Sequence, residues 1–361
     1  MVKNAYIHIP FCVKKCPYCA FVSYNKLQKK SQYISALIKE INANYKGEKL
    51  STLYLGGGTP SLLKIDELKE LVSCFNISDD VEFTIELNPN KITIEYLQGL
   101  YDCGVNRLSI GIQAFDDNLL KQIGRLHSVQ DALTVIENAK KVGINNISID
   151  LIYGLPNQSM KDFEHSLLIA KNLDIKHISL YGLKIEEGTE FDINTPLNLP
   201  DEDMQADMFL KSVELLEPSG FMRYEVSNFA KIGFESKHNT NYWKNNSYYG
   251  FGAGAHGYQD GIRYENQTDL DLYIENPIDK LTTTLLTKED ILCEEIILGF
   301  RQVKGLNIKE INSKFNIDFD KKYEDIINKY LSLGYLCKTS VGYALSTHGT
   351  LISNEILCEF V

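Results

Sequence analysis

Three cysteines stand within eight residues of FCVKKCPYCAF: Cys12, Cys16 and Cys19, in the spacing C-x₃-C-x₂-C. Zinc would want a fourth ligand to close a tetrahedron, usually from a second Cys or His pair, and none lies nearby in sequence. A thioredoxin-type pair could use Cys16 and Cys19 but would leave Cys12 idle. Three unrelated structural thiols would be a coincidence. Thiolates in this style also bind iron–sulfur clusters. On a cube of four irons, three thiols leave one iron open, and an open metal position is where a substrate or cofactor binds. The other five, Cys74, Cys103, Cys293, Cys337 and Cys358, are scattered and read as small core residues.

These thiols follow a short β-branched run, Ala5–Pro10, and the pattern repeats. Similar runs occur at Thr52–Gly56, Val81–Asn88, Asn106–Gln113, Ile147–Gly154 and His177–Leu183. Amphipathic stretches lie between them at Ser31–Asn44, Ile65–Phe75, Thr93–Cys103, Val129–Val142 and Met160–Leu173. Strands alternating with helices mean an α/β fold with a parallel sheet. The groups that could do chemistry come just after strands: GGGTPS after the second, Glu86 at the end of the third, Gln113 after the fourth, Asp150 on the fifth. Six strand ends converging on one mouth favour a partial barrel over an open wound sheet, and in either the site lies at the carboxyl ends. The expected domains are this core at 1–195, a connecting region at 196–284, and a small α+β domain at 285–361 resembling a winged helix. The connecting region breaks the β/α rhythm and is rich in Asn, Tyr and Gly. The last holds nine Lys and Arg against eleven Asp and Glu, so a packing or lid module suits it better than DNA binding.

The 361 residues carry a formal net charge of −11, which argues against nucleic acid as a partner. No window approaches the roughly 18 apolar residues of a membrane span, and the N-terminus lacks a secretory pattern. A cytoplasmic chain is expected, with peripheral membrane contact left open.

The cysteine motif, with Tyr18 before its last thiol, resembles the signature of the radical S-adenosylmethionine (SAM) superfamily. The resemblance implies a (β/α)₆ partial barrel and a 4Fe–4S cluster on Cys12, Cys16 and Cys19, with SAM chelating the unique iron. Tyr6-x-His8-Ile-Pro10-Phe11-Cys12, Arg107-x-Ser109-x-Gly111-x-Gln113-x-Phe115 and Gly124-Arg125-x-His127 are similar to one subfamily, that of oxygen-independent coproporphyrinogen III dehydrogenase and its relatives. By that likeness Tyr6, Tyr18, Gly57, Gly58, Thr59, Glu86, Gln113, Arg125 and Asp150 are the cofactor-binding positions. Consecutive glycines would let the backbone approach a ligand closely.

Two classes within the subfamily differ in chemistry. The porphyrinogen dehydrogenase carries a fourth Cys two residues after the third, where this chain has Phe21, and an N-terminal extension, where only eleven residues precede Cys12. Coproporphyrinogen III oxidase activity is therefore not expected, although an enzyme acting on a porphyrin remains the alternative. The heme-chaperone class carries His-Asn-x-x-Tyr-Trp, and this chain reads His238-Asn239-Thr240-Asn241-Tyr242-Trp243. Imidazole is a common axial ligand of heme iron, and Tyr and Trp faces can stack on a porphyrin. The resemblance thus implies heme as a third cofactor, His238 as its contact with His256 as a second candidate, and heme-accepting apo-proteins such as respiratory chain components as partners. Members of that class commonly have Asp after the third Cys; Ala20 replaces it, which removes no ligand.

Overall fold

The computed structural model describes residues 2–361. Six strands, Asn4–Ile9 (β1), Leu50–Gly57 (β2), Ile77–Leu87 (β3), Arg107–Gln113 (β4), Asn146–Tyr153 (β5) and His177–Gly182 (β6), pair parallel in chain order. Between them run Lys30–Asn44 (α1), Ile65–Val72 (α2), Ile94–Asp102 (α3), Asp117–Gln122 (α4), Val129–Lys141 (α5) and Met160–Asn172 (α6). Serine caps start the last two: Ser128 and Ser159 each accept the amide of the residue three on, and the Asp there accepts back.

Strand residues alternate between two environments, as the pleat requires. Ile7, Leu53, Ile85, Ile110, Ile149 and Ile178 are fully buried in the core shared with α1 to α6. The other set is polar: Tyr6 and His8 on β1, Tyr54 on β2, Glu86 on β3, Arg107 and Ser109 on β4, Asp150 on β5, His177 and Ser179 on β6. These residues line the lumen of a barrel.

The region expected to be merely connecting does more. After the short helix Glu190–Ile193 (α7), Glu202–Leu216 (α8) packs against the barrel, and Met222–Arg223 (β7), Asn228–Ala230 (β8) and Tyr249–Phe251 (β9) extend the main sheet. The order is β7-β8-β6-β5-β4-β3-β2-β1-β9, with β8 antiparallel to β6 and β9 parallel to β1. Helix Lys237–Trp243 (α9) closes the floor, where Glu82 accepts the amides of Lys237 and His238 at 3.0 and 2.9 Å. A carboxylate at a helix N-terminus offsets both the orphan amides and its own burial.

A second buried carboxylate, Glu40 of α1, ties the glycine-rich segment to the barrel. It accepts from Gly252 N, Asn266 Nδ2, Tyr273 Oη and Lys280 Nζ, all at 2.7–2.8 Å. Lys280 opens the outer strand of a small antiparallel sheet formed by 256–259, 262–266 and 280–285. Beyond it, helices Lys288–Phe300, Ile308–Phe315 and Glu324–Ser332 pack with the hairpin of Leu336–Lys338 and Gly342–Leu345 around a separate core containing Phe300, Phe319 and Phe360. Among the described residues no helix is long and apolar enough to cross a membrane. Cys337 and Cys358, expected in the core, are exposed.

Glu40→Ala takes the carboxylate from Lys280 and leaves the Gly252 amide and the Tyr273 hydroxyl without an acceptor, so it should cost about 3 kcal/mol or more in denaturant unfolding. A loss below about 1 kcal/mol would show that the network is not needed.

Candidate functional site

The cysteine loop leaves the end of β1 and is pinned at its base. Phe11 is fully buried, its ring meeting Tyr33 edge-on. Cys12 N donates to Tyr24 O at 3.0 Å and Tyr24 N to Pro10 O at 2.8 Å, closing the loop on itself. Between those bonds all three thiols border one cavity of about 440 Å³ at the carboxyl ends of the strands. Burial pushes the thiols of Cys12 and Cys19 above their ordinary value, so a bound cation is what would hold them as thiolates. Cys12 Sγ lies 3.5 Å from Thr59 Oγ1, and Arg125 Nη1 donates to Cys16 Sγ at 3.8 Å. Among the described residues no three Cys, His, Asp or Glu side chains gather round one ion position.

The opposite wall is built from strand ends. A Cβ at Gly58 would lie 2.7 Å from Phe11 O, so only glycine lets β2 pass this close to the cysteine loop. Gly57, at φ +113°, turns its amide onto Glu86 Oε2 at 3.0 Å, while Tyr54 Oη donates to Oε1 at 2.9 Å. Ser109 Oγ donates to Asp150 at 3.1 Å. At the end of β4 the ladder slips between Gly111 and Gln113, and Gln113 adopts φ 72°. Such a bulge with a left-handed non-glycine residue re-aims a side chain at a cost in strain, and here it places Gln113 on the cavity. A Cβ at Gly111 would meet Gln113 Nε2 at 2.9 Å and Arg125 Nη2 at 3.1 Å, and Arg125 Nη2 donates to the Gly111 carbonyl.

Burial pushes the Glu86 carboxyl up to about 7, aided by repulsion from Asp150 and opposed by its two donors and Arg107. Asp150 is raised too, chiefly by burial. Two carboxyl groups so disfavoured when ionised make the cavity a receptor for positive charge.

Of the positions expected at the site, Cys12, Cys16, Tyr18, Cys19, Gly57, Gly58, Thr59, Glu86, Gln113, Arg125 and Asp150 border this one cavity. Tyr18 also rests near Phe191 of α7. Tyr6 and His238 do not border it. Tyr6 lies beneath, its hydroxyl on His8 Nδ1 at 2.9 Å. His238 is 1% exposed at the barrel floor, with Nδ1 2.7 Å from Thr52 Oγ1 and Nε2 2.7 Å from Tyr242 Oη. Both ring nitrogens of His238, the expected heme contact, are thus engaged out of solvent in this structure. His256 is instead exposed on the small sheet. Sequence reasoning missed Tyr54 and Ser109, which hold the two carboxylates; each sits two residues before a glycine, a period-2 signal that was available.

Residues 6–170 match the Radical SAM superfamily and residues 286–352 the HemN C-terminal domain. The chain is 39% identical to the heme chaperone HemW of Bacillus subtilis, over 100% of this chain and 99% of that protein. It is 33% identical to the heme chaperone HemW of Escherichia coli, over 99% and 98%. In fold it is similar to the coproporphyrinogen III oxidase HemN of Escherichia coli, with TM-score 0.86 and 23% identity over 99% of this chain and 89% of that one.

Because the folded pKa of Glu86 is raised from 4.5 to about 7, ionisation is disfavoured in the fold, and stability is lost as pH rises through that window. Ligand-free Glu86→Gln lacks this loss. It should gain on wild type by about 3 kcal/mol between pH 4.5 and 8 in urea unfolding, whereas parallel pH profiles would contradict the buried titration.

Proposed function

The chain belongs to the HemW heme-chaperone family of radical SAM proteins, and from that membership we propose that it binds heme and passes it to heme-accepting apo-proteins. The observation that carries this reading is the likeness to heme chaperones along the full length of the chain. Its cofactors are a 4Fe–4S cluster and SAM, with heme as the cargo.

Cys12, Cys16 and Cys19 would hold the cluster, which supplies an iron corner open to SAM and a source of single electrons. The chain's own residues do the rest. The Arg125 guanidinium and the Thr59 hydroxyl sit beside the sulfurs of Cys16 and Cys12, where they would stabilise thiolate charge. Glu86, Asp150, Gln113 and the backbone at Gly57 and Gly58 would seat SAM, the carboxylates facing its positive groups.

Phe21 stands where a fourth thiol would be, 67% exposed on the cavity rim. With Lys14 and Lys15 also bordering the cavity, the rim offers apolar contact and positive charge, the complement of a flat macrocycle with carboxylate arms. Respiratory chain proteins as acceptors, a cytoplasmic setting and transient contact with a membrane surface complete the proposal.

Anaerobically reconstituted protein titrated with heme should develop a saturable Soret band and pass the heme to a heme-free globin. The same preparation, given SAM and a strong reductant, should leave coproporphyrinogen III unchanged. Absence of heme binding, or clear turnover of the porphyrinogen, would overturn the chaperone reading.

A further inference from the structure

The proton on His238 can be placed. Thr52 Oγ1 donates to Asn4 Oδ1 at 2.9 Å, so towards His238 it offers only lone pairs, and Nδ1–H is the donor to it. Nε2 therefore carries the ring's lone pair, and the Tyr242 hydroxyl donates into it. Burial lowers the imidazole to about 3, so it stays neutral in this tautomer across physiological pH. The electron pair an iron would need is occupied.

What His238 presents to the barrel is its face. The ring stacks on Tyr54, centroids 5.0 Å apart and planes at 27°, with Tyr6 flanking both at 6.0 and 6.5 Å. The far end of Tyr54 donates to Glu86 Oε1, whose other oxygen is held by Gly57 N. A Cβ at Gly56 would come within 2.9 Å of Glu86 Oε1 and of the Tyr6 ring, and 3.0 Å of the Tyr54 ring, so the tier is packed without slack. Tyr54 is the side-chain donor to Glu86, and His238 is the surface against which Tyr54 rests.

We propose that Tyr54 and His238 are positioning residues for SAM. The column Thr52–His238–Tyr54–Glu86 sets the height and direction of the Glu86 carboxylate in the cavity, so that α9, with its His-Asn-x-x-Tyr-Trp sequence, serves the SAM site from below. The proposal rests on the reading of Glu86 as a SAM contact and is independent of where heme binds. It gives the motif a role other than iron ligation.

The test measures SAM affinity by equilibrium dialysis on anaerobically reconstituted protein, with iron content and melting temperature determined on each sample. Tyr54→Phe removes one hydrogen bond to a charged group and keeps the ring; His238→Ala removes the stacking face. Each should weaken SAM binding about tenfold at unchanged iron content, and the double variant should be no weaker than the worse single, because both act through one carboxylate. His238→Phe restores a ring without a nitrogen and should recover most of the affinity lost in His238→Ala.

Wild-type affinity in Tyr54→Phe, additive losses in the double variant, or equal losses in His238→Phe and His238→Ala would each overturn the proposal. Should His238→Ala fail to fold, Tyr54→Phe decides alone. Heme titration of the same samples keeps the two readings apart. A Soret band altered in both His238 variants with SAM affinity intact would make the imidazole a heme ligand and sink the column. Failure of wild type to bind heme would sink the chaperone reading and leave the SAM result standing.

Discussion

A buried polar side chain must find a partner, and the lumen of this barrel is almost wholly polar. That constraint organises the molecule. Glu82 is satisfied by the first turn of α9, His238 by Thr52 and Tyr242, and His177 by Ser148 at 2.8 Å and Tyr224 at 2.8 Å. Each pairing draws a later segment onto the N-terminal ends of the strands, so the floor is sealed. At the other end Glu86, Asp150 and Arg125 have only part of their hydrogen-bonding capacity used, and there the barrel stays open.

The mouth is thus where partly engaged polar groups border open space. Three thiols on a loop pinned by Phe11 face two raised carboxyl groups across a cavity that no side chain fills. A cluster with one uncommitted iron and a small zwitterionic cation would complete both walls together. The residues at Gly58, Gly111 and Gln113, which carry close approaches or a left-handed backbone, stand where the strands end and the guest begins. Close packing and a strained residue at the rim of a rigid scaffold suit a binding site.

Much of this was legible in the sequence because its signals are local. Period-2 runs broken by Gly, Pro and Asn marked all six parallel strands to within a few residues, and the chemical residues could be read from their place just after each run. The partners in the lumen were not legible. Thr52 and His238 meet across 186 residues, and the inward face of β2 is known only once α9 has docked. A histidine beside Tyr and Trp has the look of a ligand, and its burial depends on tertiary packing. The stretch 196–284 breaks the β/α rhythm in sequence, yet Asp201 caps the fifteen-residue helix α8 within it, a start signal that composition alone does not bring out. Residue type alone puts Cys337 and Cys358 in the core, whereas their position at the edge of the last domain leaves them exposed.

The central claim is that three thiols leave one corner of a cluster for SAM. It is tested most directly by electron paramagnetic resonance of the reduced, anaerobically reconstituted protein before and after SAM is added. The account predicts about four irons and four sulfides per chain and a cluster signal that SAM shifts. Zinc on the cysteines, or a cluster signal indifferent to SAM, would contradict it.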